Sequence, residues 1–262
     1  MRFSIITICY NSEKTIERTI KSVLAQTRKD YEYIIVDGSS KDGTLDIVKR
    51  YEPLFEGRMK WKSEPDKGIY NAMNKGISRS SGEIIGIVNS DDWLEPDALE
   101  KVQTAIEANQ NNMNALYCGG INYHLIGGGI KEWPVNIKAL HRDAKMYLVS
   151  GVRHPGLFVP KGIYERLGDF NEAMKLSADA DFMLRCYYAG VPFVDIKTIV
   201  SNMAEGGLST VDTARSLDIF KNDRKTLLRS FGKSGLSYLW LYYSWDFRKK
   251  IKKLAKRIRL YK

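Results

Sequence analysis

Four consecutive polar residues, Asn89-Ser90-Asp91-Asp92, cut off an apolar run formed by Ile84, Ile85, Ile87 and Val88. Adjacent carboxylates are hard oxygen donors of the kind Mg2+ or Mn2+ takes, one or two from the protein with phosphate and water completing the shell. Asp91 and Asp92 also suit the cap of a helix expected to begin near Leu94-Glu95-Pro96, where Asx residues and a first-turn proline are favoured. A cap needs one Asx, so the whole Asn-Ser-Asp-Asp run asks for more than capping. The preceding run is short, rich in β-branched residues and opened by Gly82, which reads as a buried strand with the acids at its carboxyl end. In open α/β sheets that end is where ligands bind.

The elements that must position this turn follow a regular alternation. The apolar pattern predicts strands over 2–10, 31–36 and 60–64, and helices from Ser12 to about Gln26, from Asp42-Gly43-Thr44 to Tyr51 and from Ile69 to Ile77. Strand and helix alternating in this way imply right-handed crossovers and a Rossmann-like, mostly parallel α/β sheet with helices on both faces. Three strands then end in polar turns, 7–11, 37–40 and 89–92, which a parallel sheet brings to one edge. Neither G-x-G-x-x-G nor a P-loop follows the first strand, so dinucleotide oxidoreductases and P-loop NTPases are not supported.

The second half is less regular. Strands are expected over 115–123, 154–159 and 192–200, and a hairpin turn at Gly127-Gly128-Gly129 leads back towards Trp133-Pro134. Tyr164 to Leu167 reads as a short helix closed by Gly168. A longer helix headed by Asp179-Ala180-Asp181 runs to Tyr188, with Gly190 as its C-terminal glycine.

With 262 residues, 44% of them hydrophobic and 27% charged, the chain has the composition of one large or two small folded domains. It holds no run of roughly 18 apolar residues, and Met1-Arg2-Phe3 leads straight into a strand, so neither a spanning helix nor a signal peptide is expected. Cys9, Cys118 and Cys186 are odd in number and lie in apolar surroundings, which fits buried free thiols in a reducing cytoplasm. The net charge of +10 is concentrated at one end: residues 246–262 carry nine Lys or Arg against Asp246 alone, a net +8.

Six segments in order carry a family pattern: SIITICYN (4–11), YIIVDGSSKDGT (33–44), SEPDKGIYNAMNKGI (63–77), GEIIGIVNSDDWLEPDAL (82–99), SADADFMLR (177–185) and GGLS (206–209). Over about residues 3–210 the chain resembles the family 2 glycosyltransferases, inverting enzymes of the GT-A fold, and in particular the small bacterial members that build surface polysaccharides. The resemblance implies a nucleotide-sugar-binding half over 1–112, an acceptor-binding and catalytic half of the same domain over 113–212, and a basic helical tail over 213–262. Thr7, Tyr10, Asn11, Asp37, Ser39, Asp66 and Gly68 then hold the nucleotide, with Asp37 accepting from a base N–H. Asp37 also suits a turn former before Gly38. Asn74 and Lys75 lie near the nucleotide in relatives, or simply form a solvated helix face.

In the same resemblance Asn89-Ser90-Asp91 occupies the place of a D-x-D motif, with Asn89 and Ser90 on the nucleotide sugar and Asp91 as the direct Mn2+ or Mg2+ ligand to the diphosphate. The first carboxylate is here an amide, which still bonds a ribose hydroxyl but brings no charge. Two further departures are Met73, where many relatives carry Arg, and Met203-Ala204-Glu205, where many carry a metal-binding His. Whether the protein supplies a ligand beyond Asp91 is therefore left open. Asp179 matches the general base that inversion demands, with Asp181 as the alternative and Asp179 then only a cap. His154 and Trp133 are candidates for the acceptor side, each equally readable as a packed core residue.

The tail from Leu236 to Tyr261 couples aromatic and apolar residues to a cationic amphipathic stretch, the pattern of a helix lying on an anionic leaflet. Packing on the enzyme with a solvated basic face is the other reading, and no nucleic-acid motif accompanies the charge. Taken together these residues imply transfer from a nucleotide diphosphate sugar, UDP by family habit, to a saccharide or lipid-linked acceptor at the cytoplasmic membrane face. Rival readings are a sugar nucleotidyltransferase and a non-catalytic nucleotide-sugar-binding scaffold. The first wants a Gly-rich basic loop where TICYNSEKT stands; the second would lose Asp91 and Asp179, and both are present.

Overall fold

A computed structural model describes residues 2–206 and 214–243. The GGLS motif beyond Gly206 and the basic stretch from Ser244 onward lie outside the described residues. Strands β1 (Phe3–Cys9), β2 (Tyr31–Asp37), β3 (Met59–Ser63) and β4 (Ile84–Ile87) alternate with helices α1 (Ile16–Leu24), α2 (Thr44–Tyr51) and α3 (Ile69–Arg79). The chain continues through β5 (Trp93–Leu94), α4 (Ala98–Ala108), β6 (Leu116–His124), β7 (Ile130–Trp133), α5 (Ile137–Ala144), β8 (Leu157–Pro160), α6 (Lys161–Leu167), α7 (Ala178–Tyr188), β9 (Phe193–Ala204) and α8 (Ala214–Ser230).

Among the described residues the strands form one sheet in the order β3-β2-β1-β4-β8-β6-β9-β5, with β7 added to β6 as a hairpin. Parallel pairing holds across β3-β2-β1-β4, as the alternating pattern predicts. Beyond β4 the sheet turns mixed: β8 runs antiparallel to both β4 and β6, while β6 and β9 are parallel with two register shifts. β1 and β2 are buried along their whole length, so alternate residues serve opposite faces. Ile6, Ile8, Ile34 and Val36 join α3, α6 and α7 in one core. Phe3, Ile5, Tyr33 and Ile35 join α1, α2 and α4 in the other. In α1 the buried set Ile16, Thr19, Ile20 and Val23 follows the helical period.

Two local expectations change. The segment at Trp93-Leu94 is not the start of a helix: it pairs antiparallel with Ser201 and Asn202 of β9, which postpones α4 to Ala98. His154–Gly156 is a 3-10 turn, with strand geometry starting only at Leu157, because Pro155 occupies the first turn and has no N–H to give a ladder. The three cysteines are free and buried, as their surroundings imply.

Candidate active site

The carboxyl ends of β1 and β4, the N-terminal turns of α3 and α7, and the 149–155 segment enclose a cavity of about 1190 Å3. Its lining includes Tyr10, Asn11, Asp66 and Gly68, the acidic turn Asn89, Ser90, Asp91 and Asp92, and Trp133, Arg153, His154 and Asp179. The cavity therefore unites most of the candidate residues from both halves of the chain.

The acidic turn is held from behind. Arg18 of α1 lies with its guanidinium 3.6 Å from the centre of the Trp93 ring and donates to the Asp91 carbonyl at 2.7 Å. Thr19 donates its hydroxyl to the Asp92 carbonyl at 2.6 Å. The two carboxylates consequently face different surroundings. Asp92 is buried, accepting from the Ala204 amide and from Asn89 Nδ2, both at 3.2 Å. Burial, reinforced by the Asp91 charge, pushes its carboxyl up to about 8. Asp91 is half-buried, and its burial also raises its carboxyl above the ordinary range. Among the described residues Asn89 Oδ1 is a buried acceptor with no partner, an open position for a ribose hydroxyl or a metal-bound water. Ser90 shares a 2.8 Å hydrogen bond with Ser12, joining the ends of β4 and β1.

Among the described residues no group of three or more His, Cys, Asp or Glu could hold a metal ion by itself. One free carboxylate beside an unpartnered amide oxygen nevertheless suits a hard cation that takes its remaining ligands from phosphate and water. Met203 lines the cavity where β9 returns against the turn, and a thioether is too soft to be a ligand for Mg2+ or Mn2+.

Around Tyr10, Asp66 shapes the pocket. Its Oδ1 accepts from the Gly68 amide at 2.8 Å, and Gly68 opens α3 at φ 125, a conformation that favours glycine. A side chain on Gly38 would crowd Asp66 Oδ2, so glycine there leaves Asp66 in the position that receives the Gly68 amide. Tyr10 stands 62% exposed, a free aromatic face at the rim.

Thr7, Asp37, Ser39, Asn74, Lys75 and Asp181 do not line the cavity. Thr7 is buried and accepts from the Tyr33 hydroxyl at 2.9 Å. Asp37 is buried beneath the pocket, accepting from Ser40 N, Ser40 Oγ and Ser63 Oγ at 3.0, 2.5 and 2.6 Å, and thereby fixes the turn that carries Ser39. Asn74 is spent on the Phe170 backbone and Glu172, and Lys75 on the Pro65 carbonyl and Glu64.

Asp179 and Asp181 part company in the first turn of α7. Asp181 is buried, paired with Arg185 at 2.9 Å and accepting from Ser230 Oγ at 3.2 Å. Asp179 faces the cavity and accepts from the Tyr70 hydroxyl at 3.3 Å. His154 is close enough to feel the Asp179 charge; burial pushes its imidazole down, and Asp179 partly opposes this. Trp133 stacks on Tyr123 at 4.3 Å and holds the Arg153 guanidinium 4.4 Å from its ring centre. Sequence reasoning missed Tyr70, Arg153 and the buried role of Asp92. Nothing in the spacing marks Tyr70, whose partner lies 109 residues away.

Comparison with known proteins bears on the whole arrangement. The family model described as Glycosyl transferase family 2 matches residues 4–167. A PGL/p-HBAD biosynthesis glycosyltransferase of Mycobacterium bovis is 28% identical over 189 residues, 71% of this chain and 69% of the relative. Among solved structures, S. aureus TarS in complex with UDP-GlcNAc superposes with a TM-score of 0.67 at 19% identity, over 92% of this chain and 69% of that one. The mannosyltransferase PcManGT of Pyrobaculum calidifontis, in complex with GDP-Man and Mn2+, gives 0.58 at 17% identity, over 89% and 65%. At these identities the two structures speak for the fold alone.

Proposed function

The chain belongs to glycosyl transferase family 2, and from that premise we propose that it moves a sugar, with inversion, from a UDP-sugar to a hydroxyl of a saccharide or lipid-linked acceptor in bacterial surface polysaccharide synthesis. The observation that carries this reading is that Asp91 and Asp179 line one cavity from different walls. Tyr10, Asn11 and Asp66 stand where the nucleoside would lie, over the turn that Asp37 and Ser39 shape. Asn89 and Ser90 meet the ribose and sugar, with the unpartnered Asn89 Oδ1 accepting from a hydroxyl. The acceptor enters past Trp133, Arg153 and His154.

In the reaction Asp179 takes the proton of the acceptor hydroxyl as its oxygen bonds to the anomeric carbon. The bond from that carbon to the diphosphate oxygen breaks on the opposite face, and the nucleoside diphosphate departs. Asp91 would hold Mn2+ or Mg2+, which when bound supplies Lewis-acid stabilisation of the leaving diphosphate. Tyr70 keeps the Asp179 carboxylate aimed and contributes no proton, since burial and the Asp179 charge raise its phenol well above the ordinary range.

Supports for the UDP donor are family habit and a neighbour whose structure holds UDP-GlcNAc; the mannosyltransferase neighbour holds GDP-Man. Among the described residues no helix is long and apolar enough to cross a membrane. For the cytoplasmic membrane face we therefore propose peripheral attachment through the basic C-terminal stretch. Calorimetry with UDP, GDP and their sugar conjugates, first with Mn2+ and then with EDTA, tests the donor assignment. Metal-dependent binding of UDP is the expected result, and binding of GDP alone would overturn the choice of base.

A further inference from the structure

Helical backbone over 235–243 packs one side on the protein and turns the other outward. Leu241 is buried, and Tyr238 and Tyr242 lie against the same core with near-parallel rings 5.9 Å apart. On the outer side Leu236, Leu239, Trp240 and Tyr243 are 85, 44, 62 and 62% exposed. Their spacing of i, i+3, i+4 and i+7 makes one continuous apolar stripe. Contiguous large apolar side chains left in water mark an interaction surface.

This stripe is tied to the acceptor wall. Arg224 of α8, itself buried, donates to the Leu241 carbonyl at 3.4 Å, to the Met146 carbonyl at 2.8 Å and to the Tyr147 carbonyl. Val149, Val152 and Arg153, shortly after Tyr147, line the cavity. The adjacent Asp223 accepts from the amides of Lys175 and Leu176, just ahead of α7 and its Asp179. One turn of α8 thus fixes the stripe, the acceptor loop and the start of the catalytic helix to each other.

We propose that the stripe formed by Leu236, Leu239, Trp240 and Tyr243 is the face with which the protein sits on an anionic lipid surface, Arg224 holding the acceptor wall in register with that seat. This deepens the peripheral attachment proposed above and rests on it. The sequence following the stripe decides the occupant. Residues 246–262 bring a net +8 immediately after an aromatic, apolar face, and Trp and Tyr beside clustered Lys and Arg match the interface of an anionic leaflet. A nucleic acid would match the charge and leave the stripe unused; a second copy would cover the stripe and set two strongly basic stretches against each other.

The test uses the full chain, sedimented with phosphatidylcholine vesicles and with vesicles also containing phosphatidylglycerol. The expected result is at least tenfold stronger partition onto the anionic vesicles, weakened by salt. The double variant Leu236→Ser/Trp240→Ser should lose at least tenfold of that partition, with its thermal midpoint and UDP binding unchanged, while Trp240→Tyr retains most of it. Equal pelleting of double variant and wild type would overturn the proposal. So would a wild-type dimer in light scattering that the double variant dissolves, since the stripe would then belong to a second copy. Partition needs no turnover, so this result and the calorimetric test of the donor fail independently.

Discussion

Tyr70, in the first turn of α3, donates its hydroxyl to Asp179 Oδ1 at 3.3 Å, joining α3 to the proposed base on α7 across 109 residues. Its raised phenol pKa keeps it a donor at any working pH. Tyr70→Phe should leave donor binding intact and lower kcat about tenfold, the scale of one hydrogen bond to a charged group. Steady-state kinetics at saturating donor would show it. A loss confined to donor KM would instead make Tyr70 a nucleotide contact.

Asp179 and Asp181 offer a sharp contrast two residues apart. Asp179→Asn removes the proposed proton acceptor and should cut transfer by 10²-fold or more, with nucleotide binding and thermal midpoint near wild type. Asp181→Asn should act on stability: removing the charge from the buried partner of the partly exposed Arg185 and of Ser230 costs about 2 kcal/mol, the scale of a hydrogen bond to a charged group. Thermal melts and transfer assays on both variants separate the roles. Full activity in Asp179→Asn would end its assignment as base.

The sequence made the parallel half legible because each of its elements carries a complete local period. Ile16, Thr19, Ile20 and Val23 identify α1, and β1, β2 and β4 read as short, largely apolar runs. The acidic turn was visible for the same reason, since an apolar run ended on it. What escaped is non-local. Trp93 and Leu94 form a strand only because β9 returns to them, and Asp92 is a buried acceptor only because Ala204 N arrives there. Thr7 and Asp37 have the residue types of ligand contacts, and the fold also engages them internally, Thr7 accepting from Tyr33 and Asp37 from Ser40 and Ser63, which spacing does not show. The α5 helix over Ile137–Ala144 likewise went unread.

Asp91 is the one acid of the turn left free to meet a cation, since Asp92 is occupied by Ala204 and Asn89. Asp91→Ala should therefore abolish metal-dependent nucleotide binding, and EDTA should weaken wild type to a similar degree. Asn89→Ala should be milder, roughly a tenfold loss, as it removes a neutral acceptor together with the Nδ2 donor to Asp92 and no charge. Calorimetry with and without Mn2+ measures all three. Undiminished, metal-dependent binding by Asp91→Ala would move the ligand elsewhere.

Away from the site, Glu32 pins the sheet that carries it. Its Oε1 accepts from Ser4 Oγ, Ser81 N and Oγ, and Gly82 N, and its Oε2 from Lys60 Nζ at 3.0 Å. One carboxylate thus joins β1, β2, β3 and the turn into β4. Burial alone would raise its pKa, but the hydrogen bonds from Ser4, Ser81 and Lys60 outweigh that and hold it at about 2. A depressed folded-state value means the contribution is complete above the ordinary carboxylate pKa of about 4.5 and fades as pH falls towards 2. Glu32→Ala strands the Ser4 and Ser81 donors, while Gly82 N keeps its 2.8 Å bond to Ser4 Oγ, and should cost about 3 kcal/mol at neutral pH. Denaturant titrations should find the gap between wild type and variant narrowing from pH 4.5 down to 2. A gap independent of pH over that range would show that packing, and not the carboxylate charge, is what Glu32 contributes.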